Sequence, residues 1–124
     1  DSRFDLAFML ENQQTGALKP AFMEVKGVTL EENGIVRFPD APTERGVKHL
    51  QGLSEAVSEG FEAFVLFVIQ MEGVREFRPN DETHKAFGDA LRAGARAGLH
   101  ILAYDCEVKE ASMKIRREVK ISLS

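Results

Sequence analysis

At 124 residues the chain is long enough for one domain with its own core and too short for two. A hydrophobic share of 44% and a charged share of 29% are ordinary for a globular protein; no charge-free apolar run is long enough to cross a bilayer, and the first residues do not read as a signal peptide. The formal net charge of −4 argues against a protein that coats nucleic acid by bulk attraction, but leaves room for a local site whose own acidic residues lower the total.

The single cysteine, Cys106, excludes an internal disulfide and any multi-cysteine zinc site. Its neighbours Ile101, Leu102 and Val108 read as the surroundings of an inert buried thiol. A reducing, cytoplasmic setting fits this usage best. The chain opens abruptly on strand-like residues, which reads as the latter part of a longer protein.

Residues 3–10 form an apolar run interrupted only by Asp5, the pattern of a strand covered on both faces. A polar stretch from Glu11 to Pro20 then predicts a hairpin loop. Residues 21–30 read as a second strand, with Phe22, Glu24, Lys26 and Val28 on one face. Asn33-Gly34 is the strongest short hairpin signal and leads into a third strand at residues 35–38, so the first three strands are expected as an antiparallel meander.

After Pro39 to Pro42, Val47, Leu50, Leu53 and Val57 recur at helical spacing until Gly60. Residues 61–71 are the most apolar stretch and predict a central strand in a sheet covered by helices. Residues 72–80 are expected as loop. A second helix runs from a cap at Asn80 or Asp81 to Gly98, with Phe87, Ala90, Leu91 and Ala95 as its apolar face and Gly88 and Gly94 as weak points. A strand follows over residues 99–109. Ile115, Val119, Ile121 and Leu123 then alternate with charged residues, as on an edge strand with one wet face. The expected order is βββαβαββ, a small α/β sandwich.

Strand period puts Glu24 and Lys26 on the same face, and Asp5 interrupts the neighbouring strand, where a carboxylate without a partner is costly. If those strands pair, two carboxylates and a lysine converge at one edge of the core. Two carboxylates with the main-chain carbonyl of Val25 suit a hard, oxygen-preferring cation such as Mg²⁺, and Lys26 would then orient water or stabilise phosphoryl charge. A solvated Glu-x-Lys face, or a structural Asp5–Lys26 ion pair, accounts for the same residues without chemistry. In the next segment Thr43, Glu44, Arg45, Lys48 and His49 supply phosphate-binding and water-positioning groups at a helix N-terminus. A helix cap with a Glu44–Lys48 surface pair is the plain alternative, and His49 reads as packed or solvated. Arg116, Arg117 and Lys120 are either backbone contacts to nucleic acid or the ordinary charges of an edge strand. His84 and His100 lack metal-ligand spacing.

Ser2-Arg3-Phe4-Asp5, Met23-Glu24-Val25-Lys26-Gly27-Val28-Thr29-Leu30 and the string from Phe38 through Thr43-Glu44-Arg45-Gly46 to Lys48-His49-Leu50 closely resemble the bacterial and archaeal sugar fermentation stimulation protein A family. Phe77-Arg78-Pro79-Asn80-Asp81 and Gly98 to Tyr104 agree. Gly27 stands where relatives more often carry Ser or Asn, and Pro42 where they carry Val. Relatives also have an acidic residue shortly before the Ser-Arg-x-Asp string.

The resemblance implies an OB-like segment that this chain lacks, followed by a restriction-endonuclease-like domain of the PD-(D/E)XK kind, a mixed sheet with helices on its faces. It implies Asp5, Glu24 and Lys26 as catalytic residues, Asp5, Glu24 and Val25 as ligands of Mg²⁺ or Mn²⁺, and DNA as partner, in a family linked to regulation of sugar metabolism. Thr43, Glu44, Arg45 and Lys48 are then the substrate-facing group. No membrane is expected, and a homodimer stays open. The leading expectation is metal-dependent DNA phosphodiester hydrolysis. Its rivals are a DNA-binding regulator that keeps the fold and cuts nothing, and a structural α/β module within a larger assembly.

Overall fold

Three parallel strands form the middle of the larger sheet, and their connections dictate where everything else lies. The computed structural model describes residues 4–124; Ser2 and Arg3, with which the first motif and the first predicted strand begin, lie outside the described residues. The chain runs β1 (Leu6–Glu11), β2 (Leu18–Val28), β3 (Leu30–Glu32), β4 (Ile35–Phe38), α1 (Glu44–Ser58), β5 (Glu62–Ile69), β6 (Glu76–Pro79), α2 (Asp81–Ala97), β7 (His100–Lys109), β8 (Ser112–Glu118) and β9 (Lys120–Ile121). The larger sheet has the order β1-β2-β5-β7-β8, and β3-β4-β6-β9 make a smaller one. β2, β5 and β7 are parallel, while β1 and β8 close the two edges antiparallel.

Both crossovers, β2 to β5 and β5 to β7, step in the same direction along the sheet. Right-handed connections of that kind place their helices on one face, and α1 and α2 indeed pack against each other there. Ala63, Val65, Phe67 and Ile69 of β5 point into this side and are buried with Leu50 and Leu53 of α1 and Phe87 and Leu91 of α2. Phe64, Leu66 and Val68 point the other way and are only half-buried. The expectation of helix cover on both faces is therefore corrected: among the described residues the helices cover one face. β1 is corrected too, since it forms an edge with Leu6 and Met9 exposed.

The meander expectation holds only for its first hairpin. β1 and β2 pair antiparallel around a tight loop, in which the Asn12 carboxamide accepts from the amides of Gln14 and Thr15. The chain then leaves the sheet at Thr29, and the Asn33-Gly34 hairpin of β3 and β4 is built in the second sheet. Asn33 (φ 56°) and Gly34 (φ 82°) both take the left-handed conformation that such a turn requires. The expected loop over residues 72–80 contains β6, too short to show a period because only Phe77 and Pro79 point inward. The final strand is likewise two pieces. β8 is exposed along its length, Ile115 included, whereas Val119 bonds to Ala103 and sends Ile121 into the small sheet beside Phe77. On α2 the buried residues are Phe87, Gly88, Leu91 and Gly94 rather than Ala95. Gly94 is a contact point: a Cβ there would meet a Leu99 methyl at 2.7 Å.

Two interactions join the layers. Phe67 stacks on Phe77 with ring centroids 4.3 Å apart and also meets Phe38 and Phe87, so one ring links β4, β5, β6 and α2. Asp105 of β7, 1% exposed, accepts from the Gly73 and Arg117 amides and from the Arg116 guanidinium. Burial alone would raise the Asp105 pKa, but Arg116 and the two amides outweigh it and hold the carboxyl below its ordinary value. Arg116 thus serves the fold. Next to it Cys106 is buried, and burial followed by the Asp105 charge pushes its thiol up, as expected of an inert cysteine.

Replacing Phe67 by Ala should destabilise the domain by about 3–5 kcal/mol in urea unfolding, since four elements lose one shared ring. Asp105→Asn should lose roughly 3 kcal/mol at neutral pH. A depressed carboxyl contributes its stability above the unfolded-state pKa and loses it as pH falls through the folded value. The gap between Asp105→Asn and wild type should therefore shrink below about pH 4, read from unfolding midpoints across pH.

Candidate metal and phosphodiester site

The antiparallel register Leu6↔Met23 brings the residue before β1 alongside Glu24 and Val25. Asp5 sits there, exposed in the bend that opens β1, and its Oδ2 accepts from the Val25 amide at 2.7 Å. A strand residue turns its N–H and C=O to the same edge. The Val25 carbonyl therefore faces the edge of β2 beyond the last β1 partner among the described residues.

Glu24 lies in the seam between β2 and α1 and is 2% exposed. Its Oε2 meets the His49 imidazole at Nδ1 and lies 3.5 Å from Lys26 Nζ. Lys26 and His49, each with side chains 16% exposed, approach within 3.4 Å. Glu24 Oε1 is buried with no hydrogen-bond partner among the described residues. Buried carboxylate oxygens are normally satisfied, so this unfilled acceptor marks a place for a cation or a water.

The structural Asp5–Lys26 pair does not form: Asp5 is taken by the Val25 amide and Lys26 faces Glu24 and His49. Thr43 is the N-cap of α1. Its hydroxyl accepts from Gly46, while its own amide donates to His84 Nδ1 at the bend in α2. Glu44, Arg45 and Lys48 are exposed on the first turns of α1, and the Glu44–Lys48 pair is not made among the described residues. Lys120 lies 3.7 Å from Glu76, and His100 pairs with Glu62.

The residue whose place sequence reasoning misjudged is His49, named among the polar groups of α1 but read as packed or solvated rather than as a partner of Glu24. Its signal was its position, three residues after Gly46 and beside Leu50, on the stripe of α1 that turns toward the sheet. Among the described residues no three His, Cys, Asp or Glu side chains gather into a complete metal cage. That is compatible with Mg²⁺, which keeps several waters and takes one or two carboxylates. The cavity of about 370 Å³ between Phe4, Phe22, Phe61, Glu55 and Glu59 includes none of Asp5, Glu24, Lys26 or His49. Among the described residues a buried acceptor without a partner lies beside a lysine at the Glu24 cluster. No helix among the described residues is long and apolar enough to cross a membrane.

Fold and cluster together define a mixed α/β domain that carries a buried Glu-x-Lys centre on the strand beside its first crossover helix. The family model described as "Sugar fermentation stimulation protein RE domain" matches residues 1–112, and the chain belongs to this family. Sugar fermentation stimulation protein homologs of Clostridium beijerinckii and Desulfitobacterium hafniense are each 54% identical over 99% of this chain. The chain spans 52% and 51% of their lengths, about half of the curated relatives it matches. A solved structure described as Pyrococcus furiosus SfsA in complex with Ca²⁺ is similar with a TM-score of 0.83 at 24% identity, over 98% of this chain and 51% of that one.

If Thr43 acts as the cap of α1, Thr43→Ala should lower stability by about 1 kcal/mol, measured by chemical denaturation. An unchanged midpoint would return Thr43 to the surface groups free for a ligand.

Proposed function

We propose that this domain is the phosphodiester-facing part of a DNA-binding protein, with a restriction-endonuclease-like fold of the PD-(D/E)XK kind and a Mg²⁺- or Mn²⁺-dependent hydrolytic centre. The observation that carries the reading is the buried, unpartnered Glu24 Oε1 beside Lys26 on one strand. Asp5 and Glu24 would hold the cation with the Val25 carbonyl, a hard-oxygen set. The Ca²⁺ described for the Pyrococcus furiosus relative is a cation of the same preference. Bound here, a divalent cation would supply Lewis-acid polarisation of the phosphoryl group and a more acidic water.

The chain's own residues do the remaining work. Asp5, held by the Val25 amide, keeps its carboxylate at the strand edge. Lys26 places a fixed positive charge where phosphoryl oxygens gain charge in the transition state. Glu44, Arg45 and Lys48 present polar and cationic groups on the first turns of the same helix that bears His49. Local cations, rather than the net charge of −4, would hold DNA. The second reading is a regulator that binds DNA and cuts nothing. In either form we place the protein in the cytoplasm, acting on genes of sugar metabolism, with a homodimer as an open possibility for symmetric DNA.

The test is cleavage of duplex and single-stranded DNA with Mg²⁺ or Mn²⁺, alongside Lys26→Ala and Glu24→Ala. Each variant should lose about 100-fold or more in rate. Full activity in both variants would overturn the mechanism, and salt-sensitive binding without cleavage would establish the regulator.

A further inference from the structure

We infer that His49 is the positioning residue of the Glu24–Lys26 centre. It fixes the Glu24 carboxylate through Oε2, leaves the buried Oε1 free of any protein donor among the described residues, and keeps Lys26 from closing over the acid. The cation part of this inference rests on the function proposed above; the fixing of Glu24 does not.

The argument begins with which atoms can donate. A carboxylate only accepts, so the proton in the Glu24–His49 contact belongs to Nδ1. That nitrogen then has no lone pair for Lys26, and the 3.4 Å approach of Nζ is a contact rather than a hydrogen bond. Lys26 keeps only the longer 3.5 Å approach to Glu24. Imidazole, not ammonium, therefore occupies the short-range place on Oε2. Without it a buried carboxylate two residues from a lysine on one strand face would draw that lysine in. Both carboxylate oxygens would then be spent on an ion pair.

Placement supports the same role. β2 fixes the Glu24 and Lys26 backbones through its ladder with β5, whereas His49 approaches from α1, whose neighbouring Leu50 and Leu53 are fully buried. The ring is therefore held by the packing of a separate rigid element, as expected of a group that orients a ligand. Helix and strand together set the rotation of one carboxylate.

Two measurements decide this. In metal-free protein, urea unfolding of His49→Ala, Glu24→Gln and the double variant should show strong coupling, with the double loss well short of the sum. Additive losses would overturn the inference whether or not any cation binds. Mn²⁺ titration by calorimetry then reads the cation part: His49→Ala should bind about 10-fold or more weakly. His49→Asn, whose amide donates from nearly the place of Nδ1, should restore the affinity. Equal affinity in wild type and His49→Ala, with loss in Glu24→Gln, would overturn the role of His49 and leave the metal centre standing. No Mn²⁺ binding by wild type would overturn the cation part along with the proposed function, and the coupling would alone decide whether His49 positions Glu24. Should His49→Ala not fold, His49→Asn against His49→Leu gives the same comparison.

Discussion

Everything in this domain follows from two crossovers that step the same way along a parallel core. Because β2, β5 and β7 are parallel neighbours in that order, each link must carry a helix, and right-handedness lays both helices on one side. That constraint buries Ala63, Val65, Phe67 and Ile69 and brings α1 down over β2. It leaves the outward face of β5 half-exposed, with Phe64 and Leu66 on it. It also makes the seam between α1 and β2 the one place where Glu24 and His49 can meet.

That seam is built against the usual preference of a core. The inward residues of β2 include Phe22 and Val28, but Glu24 and Lys26 stand between them. Placing a carboxylate there carries a desolvation cost that a valine would avoid. The domain offsets it only in part: Oε2 has His49 and Lys26, and Oε1 has nothing among the described residues. Asp105 is the instructive contrast. It is as deeply buried, yet Arg116 and the amides of Gly73 and Arg117 satisfy both oxygens, and it has no atom left to offer a ligand. One buried acid has both oxygens satisfied and the other keeps one oxygen without a partner among the described residues.

Much of this was legible along the chain. The stripe Val47, Leu50, Leu53, Val57 gave α1 its place, and Gly98, in the left-handed conformation, ended α2 where glycine predicted it would. The apolar run of β5 gave the central strand. Glu24 and Lys26 shared a face by strand period alone, and Asp5 joined them as the carboxylate that interrupts the apolar run of the neighbouring strand. What misled were short or shared patterns. Glu76 to Pro79 is too brief to show alternation. Ile115 and Ile121 seemed to continue one another although they belong to different sheets. Asn33-Gly34 signalled a hairpin correctly but said nothing about which sheet would receive it.

Local chemistry thus determined the longer elements, the glycine end of α2 and the presence of an acid-and-lysine pair on one strand face. Those features depend on neighbours a few residues apart, whose spacing the chain itself fixes. Only the tertiary structure decided that Arg116 belongs to Asp105, that β1 is an edge, and that His49 closes on Glu24 from 25 positions away in sequence. Such contacts arise from the direction and handedness of crossovers and from how two layers pack. Periodicity within one segment carries no information about which other segment will lie across from it.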